Sequence, residues 1–181
     1  MKIIECAIAG PLIIEPAVFG DDRGFFLESW SAETFAAAGL EMAFVQDNHS
    51  RSQKGVLRGM HFQNPTAQGK LVRVVRGAVF DVVVDLRRTS PTLGKWEGVT
   101  LSAQNKRMFW IPRGFAHGFL TLEDDTDFLY KCDAPYAPHF EHCLAWDDPD
   151  VGVEWPVDEP LLSERDKAAP KLAEIAETLP F

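Results

Sequence analysis

The sequence has few cysteines and no long hydrophobic run, and both features restrict what this protein can be. Its three cysteines, Cys6, Cys132 and Cys143, show no Cys-x-x-Cys spacing, so we expect free thiols in a reducing cytoplasm. No apolar run approaches the roughly 20 residues of a membrane helix. The N-terminus MKIIECAIAG also lacks the basic and apolar regions of a signal peptide. We therefore expect a cytoplasmic protein that has no membrane partner.

Basic residues are scarce relative to acidic ones. The 181-residue chain has 18 lysines and arginines against 27 aspartates and glutamates, a formal net charge of −9. This balance disfavours nucleic acid as a partner. A group of basic side chains nevertheless falls within residues 51–76, where a small anionic ligand could bind. These side chains are Arg51, Lys54, Arg58, Lys70, Arg73 and Arg76.

Short apolar runs separated by turn residues predict an antiparallel β protein. KLVRVV and AVFDVVVDL (70–86) flank a tight turn, and further runs follow at short spacing as far as DFLYKC (127–132). In DFLYKC, alternation places Phe128, Tyr130 and Cys132 on the same face of the strand. The series predicts an all-β fold, namely a jelly roll or a related barrel-like sandwich.

Two segments carry helical signals and are expected at the periphery of the sheets. SAETFAAAGL (31–40) begins at the capping residue Ser31 and ends at Gly39. In the C-terminal tail, Ser163 is a candidate cap, and Pro170 should divide the tail into two pieces.

The chain contains no low-complexity linker and no internal repeat. We therefore expect a single domain over residues 1–181, a length that can form one sizeable hydrophobic core. The jelly-roll core is expected at about 40–147 and the helical tail at about 163–180.

The stretch IPRGFAHGF (111–119) has the spacing P-x-G-x-x-H, which resembles the second motif of the cupin superfamily of jelly rolls. Cupins that bind metal also carry a His-x-His pair and a glutamate on an earlier strand, where this chain has only His61. A site of this type needs several converging ligands, and His61 with His117 falls short of it. We expect no metal, although a metal-dependent cupin remains an alternative.

The stretch VLRGMHF (56–62) places two polar side chains in an apolar strand. Burying Arg58 or His61 without a partner would cost several kcal/mol. Residues three apart point to opposite faces of a regular strand. For both side chains to serve one site, the backbone at 58–60 must be irregular, and Gly59 is where that is easiest.

A larger set of sequence blocks resembles one enzyme family. From near the N-terminus to about residue 170, these blocks are FGDDRGFFLESW, FVQDNHSRS, GVLRGMHFQ, QGKLVRVVRGAVFDVVVDLR, SPTLGKWEGVTLSAQNKRMFWIPRGFAHGF, DFLYKC, GVEWP and LSERDKAAP. Together they resemble the dTDP-4-dehydrorhamnose 3,5-epimerase family. The resemblance implies a cupin-like antiparallel jelly roll that works as a homodimer without metal or other cofactor. It also implies an N-terminal strand exchanged between subunits and a role in making dTDP-L-rhamnose for polysaccharide.

The substrate implied by the resemblance is dTDP-4-dehydro-6-deoxy-D-glucose, whose C4 ketone acidifies the hydrogens at C3 and C5. Epimerisation removes one hydrogen as a proton, forms an enolate and returns a proton to the opposite face. The product is dTDP-4-dehydro-L-rhamnose. Such a reaction needs a base, a cation or donor facing the enolate oxygen, and an acid on the far side.

The resemblance implies four residues for these roles. His61 matches the family's base, and Asp166 in LSERD matches the carboxylate paired with it. An ordinary imidazole pKa of about 6.5 suits a base at working pH. Lys70 matches the lysine beside the keto group, and Tyr130 matches the acid opposite the imidazole. Without the resemblance, each residue also fits a structural role in a core, a helix start or a strand end.

Further positions match the family's substrate contacts: Arg23, Glu28, Gln46, Asn48, Arg58, His117, Glu141 and Arg165. Arginine suits a diphosphate because its planar fork donates two parallel hydrogen bonds. From the residues alone, Arg23 could instead be a turn residue and Arg58 could form a buried ion pair. Arg165 stands where the family commonly has lysine. We expect His139 and His142 to be surface histidines and assign neither a role in the site.

Two other functions remain open at this point. A C3-only or C5-only epimerase, or a keto-isomerase acting on a related dTDP-4-keto sugar, would share His61, Lys70 and most site residues. A non-catalytic jelly roll that binds sugar nucleotides would bind tightly without proton exchange. The set of His61, Lys70, Tyr130 and Asp166 disfavours a mere binding module, which has no need of an acid and a base.

Overall fold

The computed structural model describes residues 1–179. The strands are β1 (Lys2–Glu5), β2 (Leu12–Glu15), β3 (Val18–Asp21), β4 (Gly24–Leu27), β5 (Gln46–Ser52), β6 (Leu57–Gln63), β7 (Lys70–Arg76), β8 (Ala78–Asp85), β9 (Trp96–Ser102), β10 (Met108–Ile111), β11 (Phe115–Thr121), β12 (Thr126–Cys132) and β13 (Glu141–Cys143). The helices are α1 (Ala32–Ala37), α2 (Glu164–Lys167) and α3 (Leu172–Ile175), and single 3₁₀ turns cover Pro138–Phe140 and Ala176–Thr178. Residues 180 and 181, where the predicted tail and domain end, lie outside the described residues.

The strands form two larger antiparallel sheets and a separate hairpin. One sheet has the order β1-β2-β10-β7-β12-β5, the other has the order β13-β6-β11-β8-β9, and β3 pairs with β4. The predicted all-β, cupin-like jelly roll with short peripheral helices is confirmed. The first sheet includes β1 and β2, so it begins well before residue 40, where the sequence placed the start of the jelly-roll core.

The hydrophobic core lies between the two sheets because alternate apolar residues of each sheet point inward. It includes Val72, Val74, Val79, Val83, Val99, Leu101, Phe109, Ile111, Phe115, Phe119 and Phe128. Phe119 of β11 and Phe128 of β12 stack with ring centroids 4.1 Å apart. Burying one such side chain contributes roughly 2 kcal/mol, and this stacked pair joins the two sheets.

Both helical segments cover the outer faces of the sheets. Helix α1 begins at Ser31, whose Oγ accepts a hydrogen bond from the Thr34 N–H at 3.3 Å. Its Phe35 is buried against the outer face of the six-stranded sheet, in a cluster with Ile14 and Met108. The predicted helix is therefore confirmed, although it is shorter than 31–40.

The C-terminal tail covers the outer face of the five-stranded sheet. It consists of the short helices α2 and α3, separated at Pro170 as predicted. Leu172, Ile175 and Leu179 pack into a cluster with Met60, Val82 and other outward-facing residues of the sheet. Ahead of α2, the Leu57 N–H donates to the Leu161 carbonyl at 3.0 Å and the Leu161 N–H donates to the Gly55 carbonyl at 2.8 Å. These bonds fasten the tail to the start of β6.

None of the helices within residues 1–179 is both long enough and apolar enough to cross a membrane.

Candidate active site

A cavity of about 720 Å³ opens between the two sheets and the C-terminal tail. Both sheets and the tail contribute polar side chains to its wall. These side chains belong to Gln46, Asn48, Ser50, Arg58, His61, Gln68, Lys70, His117, Tyr130, Tyr136, Glu141, Ser163, Arg165 and Asp166. Ten of the twelve positions singled out in the sequence thus lie around one space of a size typical for a small-molecule site.

Strand pairing in the six-stranded sheet explains how one wall is formed. Cys132 of β12 lies opposite Lys70 on one side and Gln46 on the other, so the three side chains share a face. Tyr130, two residues earlier, lies opposite Asn48. The predicted alternation in DFLYKC is confirmed, since Phe128, Tyr130 and Cys132 all line the cavity.

The opposite wall depends on an irregularity in β6. His61 lies opposite His117 of β11, whereas Arg58 lies opposite Phe119, only two residues further along β11. The register shifts between these two pairs, and Gly59 has φ of 136°. Arg58 and His61 therefore reach the same cavity although they are three residues apart. The predicted irregular backbone at 58–60 is confirmed.

His61 and Asp166 form an imidazole–carboxylate pair in the cavity. His61 Nε2 lies 2.7 Å from Asp166 Oδ1. The Asp166 side chain is nearly inaccessible, and its backbone N–H donates to Ser163 Oγ at 3.1 Å at the start of α2. The helix cap thus fixes the carboxylate, and the carboxylate fixes the orientation of the imidazole.

The pair shifts the pKa of both groups. Burial alone lowers the pKa of His61, but the hydrogen bond to Asp166 and the neighbouring Cys143 outweigh burial and raise this pKa to about 9. Burial alone raises the pKa of Asp166, but the bond with His61 outweighs it and lowers this pKa below its usual value. The sequence alone suggested an imidazole pKa of about 6.5. The structure instead favours an imidazolium paired with a carboxylate.

A second, deeper pair was not anticipated from the sequence. His117 Nε2 lies 3.0 Å from Oδ1 of Asp81, and both side chains are buried. Burial raises the pKa of Asp81 and lowers that of His117 because it disfavours the charged form of each. Asp81 lies in AVFDVVVD, which reads as a buried strand. The acidic residue in the middle of that apolar run was the available signal.

Lys70 and Tyr130 also line this cavity, and neither side chain has a hydrogen-bond partner among residues 1–179. Burial lowers the pKa of the Lys70 ammonium and raises that of the Tyr130 phenol. A partly buried ammonium and a phenol that lack partners gain the most from a ligand that offers oxygen atoms.

The mouth of the cavity is held by a cluster around Glu141. Its Oε2 accepts hydrogen bonds from Arg165 and, at 2.8 Å, from the Tyr136 hydroxyl. The Tyr136 backbone N–H donates to Gln46 Oε1 at 2.7 Å. Tyr136 was missed in the sequence because it lies in an irregular segment, APYAP, that has no periodic signal.

In the part of the chain that the structure describes, Arg58 does not form the ion pair considered from the sequence. Among residues 1–179, its guanidinium donates to Ser52 Oγ at 3.0 Å and approaches the Arg51 carbonyl. The side chain is exposed, so part of its hydrogen-bonding capacity faces the cavity and solvent.

Two predicted substrate contacts lie outside the cavity of their own chain. Arg23 is in the turn of the β3–β4 hairpin, where its guanidinium donates to Asp21 Oδ2 at 2.6 Å. Glu28 follows β4 and is exposed. Neither residue lines the cavity described above.

One group of side chains at this site could hold a metal ion. His61, Cys143 and Asp166 each offer one donor atom, and the three atoms lie within 4.8 Å of one another. This group differs from the cupin arrangement considered from the sequence, since it contains neither His117 nor a second histidine.

The fold and the cavity define a class: a cupin-like jelly roll that brings an imidazole–carboxylate pair, an ammonium and a phenol around one ligand-sized space. A family profile described as dTDP-4-dehydrorhamnose 3,5-epimerase matches residues 5–174. The chain therefore belongs to the dTDP-4-dehydrorhamnose 3,5-epimerase family, a family of isomerases, as the sequence blocks predicted.

Individual relatives agree with this assignment. A dTDP-4-dehydrorhamnose 3,5-epimerase of Pseudomonas aeruginosa is 54% identical over 96% of this chain and 97% of its own. A dTDP-6-deoxy-D-glucose-3,5-epimerase from Legionella pneumophila, solved in complex with dTDP-4-keto-L-rhamnose, is 52% identical with a TM-score of 0.95, covering 99% and 97% of the two chains. A 3'-monoepimerase from Streptomyces bikiniensis, in complex with dTDP-quinovose, is 41% identical with a TM-score of 0.89, covering 95% and 88%.

Proposed function

We propose that this protein converts dTDP-4-dehydro-6-deoxy-D-glucose to dTDP-4-dehydro-L-rhamnose by moving protons at C3 and C5 through an enolate. The single observation that carries the proposal is the His61–Asp166 pair, which opens into the same cavity as Lys70 and Tyr130. Relatives that share about half of this sequence are epimerases of this type.

In the proposed mechanism, His61 in its neutral form removes the proton next to the C4 ketone. Asp166 stabilises the imidazolium that forms, which agrees with the raised pKa of His61. The electrons of the broken C–H bond move to the C4 oxygen, where the Lys70 ammonium stabilises the enolate. Tyr130 then returns a proton to the opposite face of the ring.

The remaining cavity positions that match substrate contacts in the family, namely Gln46, Asn48, Arg58, His117, Glu141 and Arg165, would bind other parts of the substrate, including its nucleotide. The guanidinium groups of Arg58 and Arg165 suit the diphosphate because each can donate two parallel hydrogen bonds. Arg165 keeps the positive charge of the lysine common in the family, and its bond to Glu141 holds it at the cavity.

Deuterium incorporation tests the proposal directly. The purified protein is incubated in D₂O with dTDP-4-dehydro-6-deoxy-D-glucose, and NMR follows label at C3 and C5. We expect label and inversion at both carbons. Label at one carbon only would support a mono-epimerase, the second candidate, which the Streptomyces bikiniensis relative favours. Tight dTDP binding without any label would support a binding module.

Tyr130→Phe separates the acid from the base in the same experiment. This variant keeps the ring but loses the phenolic proton. If Tyr130 protonates the opposite face, the variant still exchanges hydrogen for deuterium through His61 but forms far less inverted product. Equal loss of exchange and inversion would remove the acid role from Tyr130.

We also propose that the protein works as a homodimer in which each β3–β4 hairpin reaches the partner's cavity. The position of Arg23 and Glu28 outside their own cavity supports this, since both match substrate contacts in the family. Phe19 and Phe26 lie opposite each other on the hairpin and are 66% and 69% exposed. Apolar surface of this kind is typical of a protein interface.

Two further proposals concern the surroundings of the protein. The three free cysteines support a location in the reducing cytoplasm. The net charge of −9 supports the absence of a nucleic-acid partner.

A further inference from the structure

Cys143 is a buried thiol that the proposed proton transfer does not use. It lies on β13 directly opposite His61 and is 8% exposed. Its Sγ, one ring nitrogen of His61 and one carboxylate oxygen of Asp166 lie within 4.8 Å of one another. Sulfur, imidazole nitrogen and carboxylate oxygen are the donors that Zn²⁺ prefers in proteins.

We propose that His61, Cys143 and Asp166 form a binding site for Zn²⁺ or a similarly thiophilic divalent cation. His61 and Asp166 also line the cavity, so the fourth coordination position would face open space that water or a ligand oxygen can fill. Three protein ligands with one open position is the usual arrangement of an accessible zinc site.

The side chains need only a small adjustment to bind the ion. Bonds of about 2.0–2.3 Å around a tetrahedral ion separate its ligand atoms by about 3.3–3.8 Å. His61 Nε2 and Asp166 Oδ1 are 2.7 Å apart, so this pair must open by roughly 0.6 Å. Cys143 Sγ lies within 4.8 Å of the other two donor atoms, so it must approach them by at most about 1.5 Å. Small side-chain rotations can provide such movements.

Binding at this site would compete with protons and stop proton transfer. The ion requires a deprotonated Cys143 and an imidazole that carries no added proton, so its affinity should increase with pH. An imidazole bound to the cation can no longer accept a proton from carbon. The inhibitory effect therefore rests on the proposed function, whereas the binding itself does not.

Cobalt provides a direct test because Co²⁺ bound to a thiolate absorbs in the near ultraviolet. The full-length, reduced protein is titrated with Co²⁺, and Zn²⁺ is then added to displace it and report the zinc affinity. We expect the thiolate-to-cobalt band in the unmodified chain and in the control variant Cys132→Ser. Cys132 is also a buried thiol that lines the cavity, but it lies outside the proposed site. The band should disappear in Cys143→Ser, with a loss of zinc affinity of at least about tenfold.

A second variant makes the test independent of how well Cys143→Ser folds. Asp166→Asn keeps the thiol, so the band should remain while zinc affinity falls. The proposal is overturned if the unmodified chain gives no band, if the band survives in Cys143→Ser, or if Asp166→Asn binds zinc as tightly as the unmodified chain. Zinc binding in a protein that shows no deuterium exchange would support the site while counting against the epimerase.

Discussion

At the scale of single residues, the imidazole of His61 carries the proposed chemistry. Replacing it by alanine removes the base and leaves the carboxylate of Asp166 without its partner. We expect His61→Ala to lower turnover at least about a hundredfold, the low end for loss of a general base. The measurement is the rate of deuterium incorporation under saturating substrate.

The matched control for this variant is His139→Ala. His139 is an exposed histidine that lies outside the cavity, so its removal should leave turnover unchanged. Near-normal turnover in His61→Ala would exclude His61 from the mechanism, and equal losses in both variants would point to a general effect of histidine removal.

The raised pKa of His61 predicts a pH dependence with a definite sign. The His61 imidazole must be neutral to accept a proton, and the pKa of this imidazole in the folded protein is about 9. We therefore expect kcat/KM to increase with pH towards about 9 instead of levelling off near the ordinary imidazole value. Asp166→Asn removes the carboxylate that stabilises the imidazolium, so this rise should move to lower pH while the maximal rate falls.

Profiles of kcat/KM between about pH 5.5 and 10 check this prediction. Asp47→Asn is the control, because Asp47 is an exposed carboxylate paired with Lys131 on the other side of the sheet. Its profile should match that of the unmodified protein. A rise that stays in place in Asp166→Asn would show that Asp166 does not set the pKa of His61.

Sequence reasoning located most of the cavity residues because strand alternation and the family blocks carry that information. It gave no sign that Cys143 lies beside His61, since the two residues come from strands that are distant in sequence and pair only in the folded sheet. Sequence reasoning also missed the pairing of Asp81 with His117. A single carboxylate within an apolar strand does not indicate which residue it contacts, because that partner lies on another strand. The catalytic and binding roles of the twelve residues stay predictions.

At the scale of elements, β6 determines whether Arg58 and His61 can share one cavity. Gly59 has φ of 136°, and a Cβ at this position would lie 2.4 Å from the Gly118 Cα of the neighbouring strand. We expect Gly59→Ala to reduce the free energy of unfolding by several kcal/mol, because neither backbone can move without breaking the pairing of β6 and β11. Urea denaturation followed by circular dichroism provides the value.

Gly24→Ala is the control for the backbone conformation alone. Gly24 has a similar φ of 131°, but a Cβ there would have nothing within 4 Å. It should destabilise the protein less than Gly59→Ala does. Equal losses would mean that the close approach of Gly118 is unimportant.

The elements themselves were predictable to different degrees. The core strands and the division of the tail at Pro170 followed from local apolar patterns and from single breaker residues. The strands β1 and β2 were not predicted as part of the first sheet, because their short runs MKIIE and LIIE contain too few residues for a clear period. Strand β2 is placed by its pairing with β10, far away in the sequence, and β1 is placed by its pairing with β2.

At the scale of the whole molecule, the β3–β4 hairpin should determine the oligomeric state. Phe19→Ser combined with Phe26→Ser removes the apolar surface proposed to contact the partner. We expect the dimer to dissociate and turnover to fall, since Arg23 and Glu28 would no longer reach the second cavity. Analytical ultracentrifugation measures the mass, and the deuterium assay measures turnover.

Leu93→Ser is the control for loss of an exposed apolar side chain elsewhere, because Leu93 is 37% exposed in a loop away from the hairpin. This variant should remain dimeric. A double variant that still sediments as a dimer and keeps full turnover would contradict the exchange of hairpins.

We propose that both sheets and the tail act as one domain, since the tail packs on the five-stranded sheet and contributes Asp166 to the cavity.

Asp166 follows its partner His61 by 105 residues and comes after the last strand of either sheet. During synthesis, the ribosome therefore completes every strand before it adds the aspartate. A nascent chain can close its β-sandwich early, but under the proposed mechanism it would become competent for proton transfer only when the segment that carries Asp166 has emerged and packed against β6.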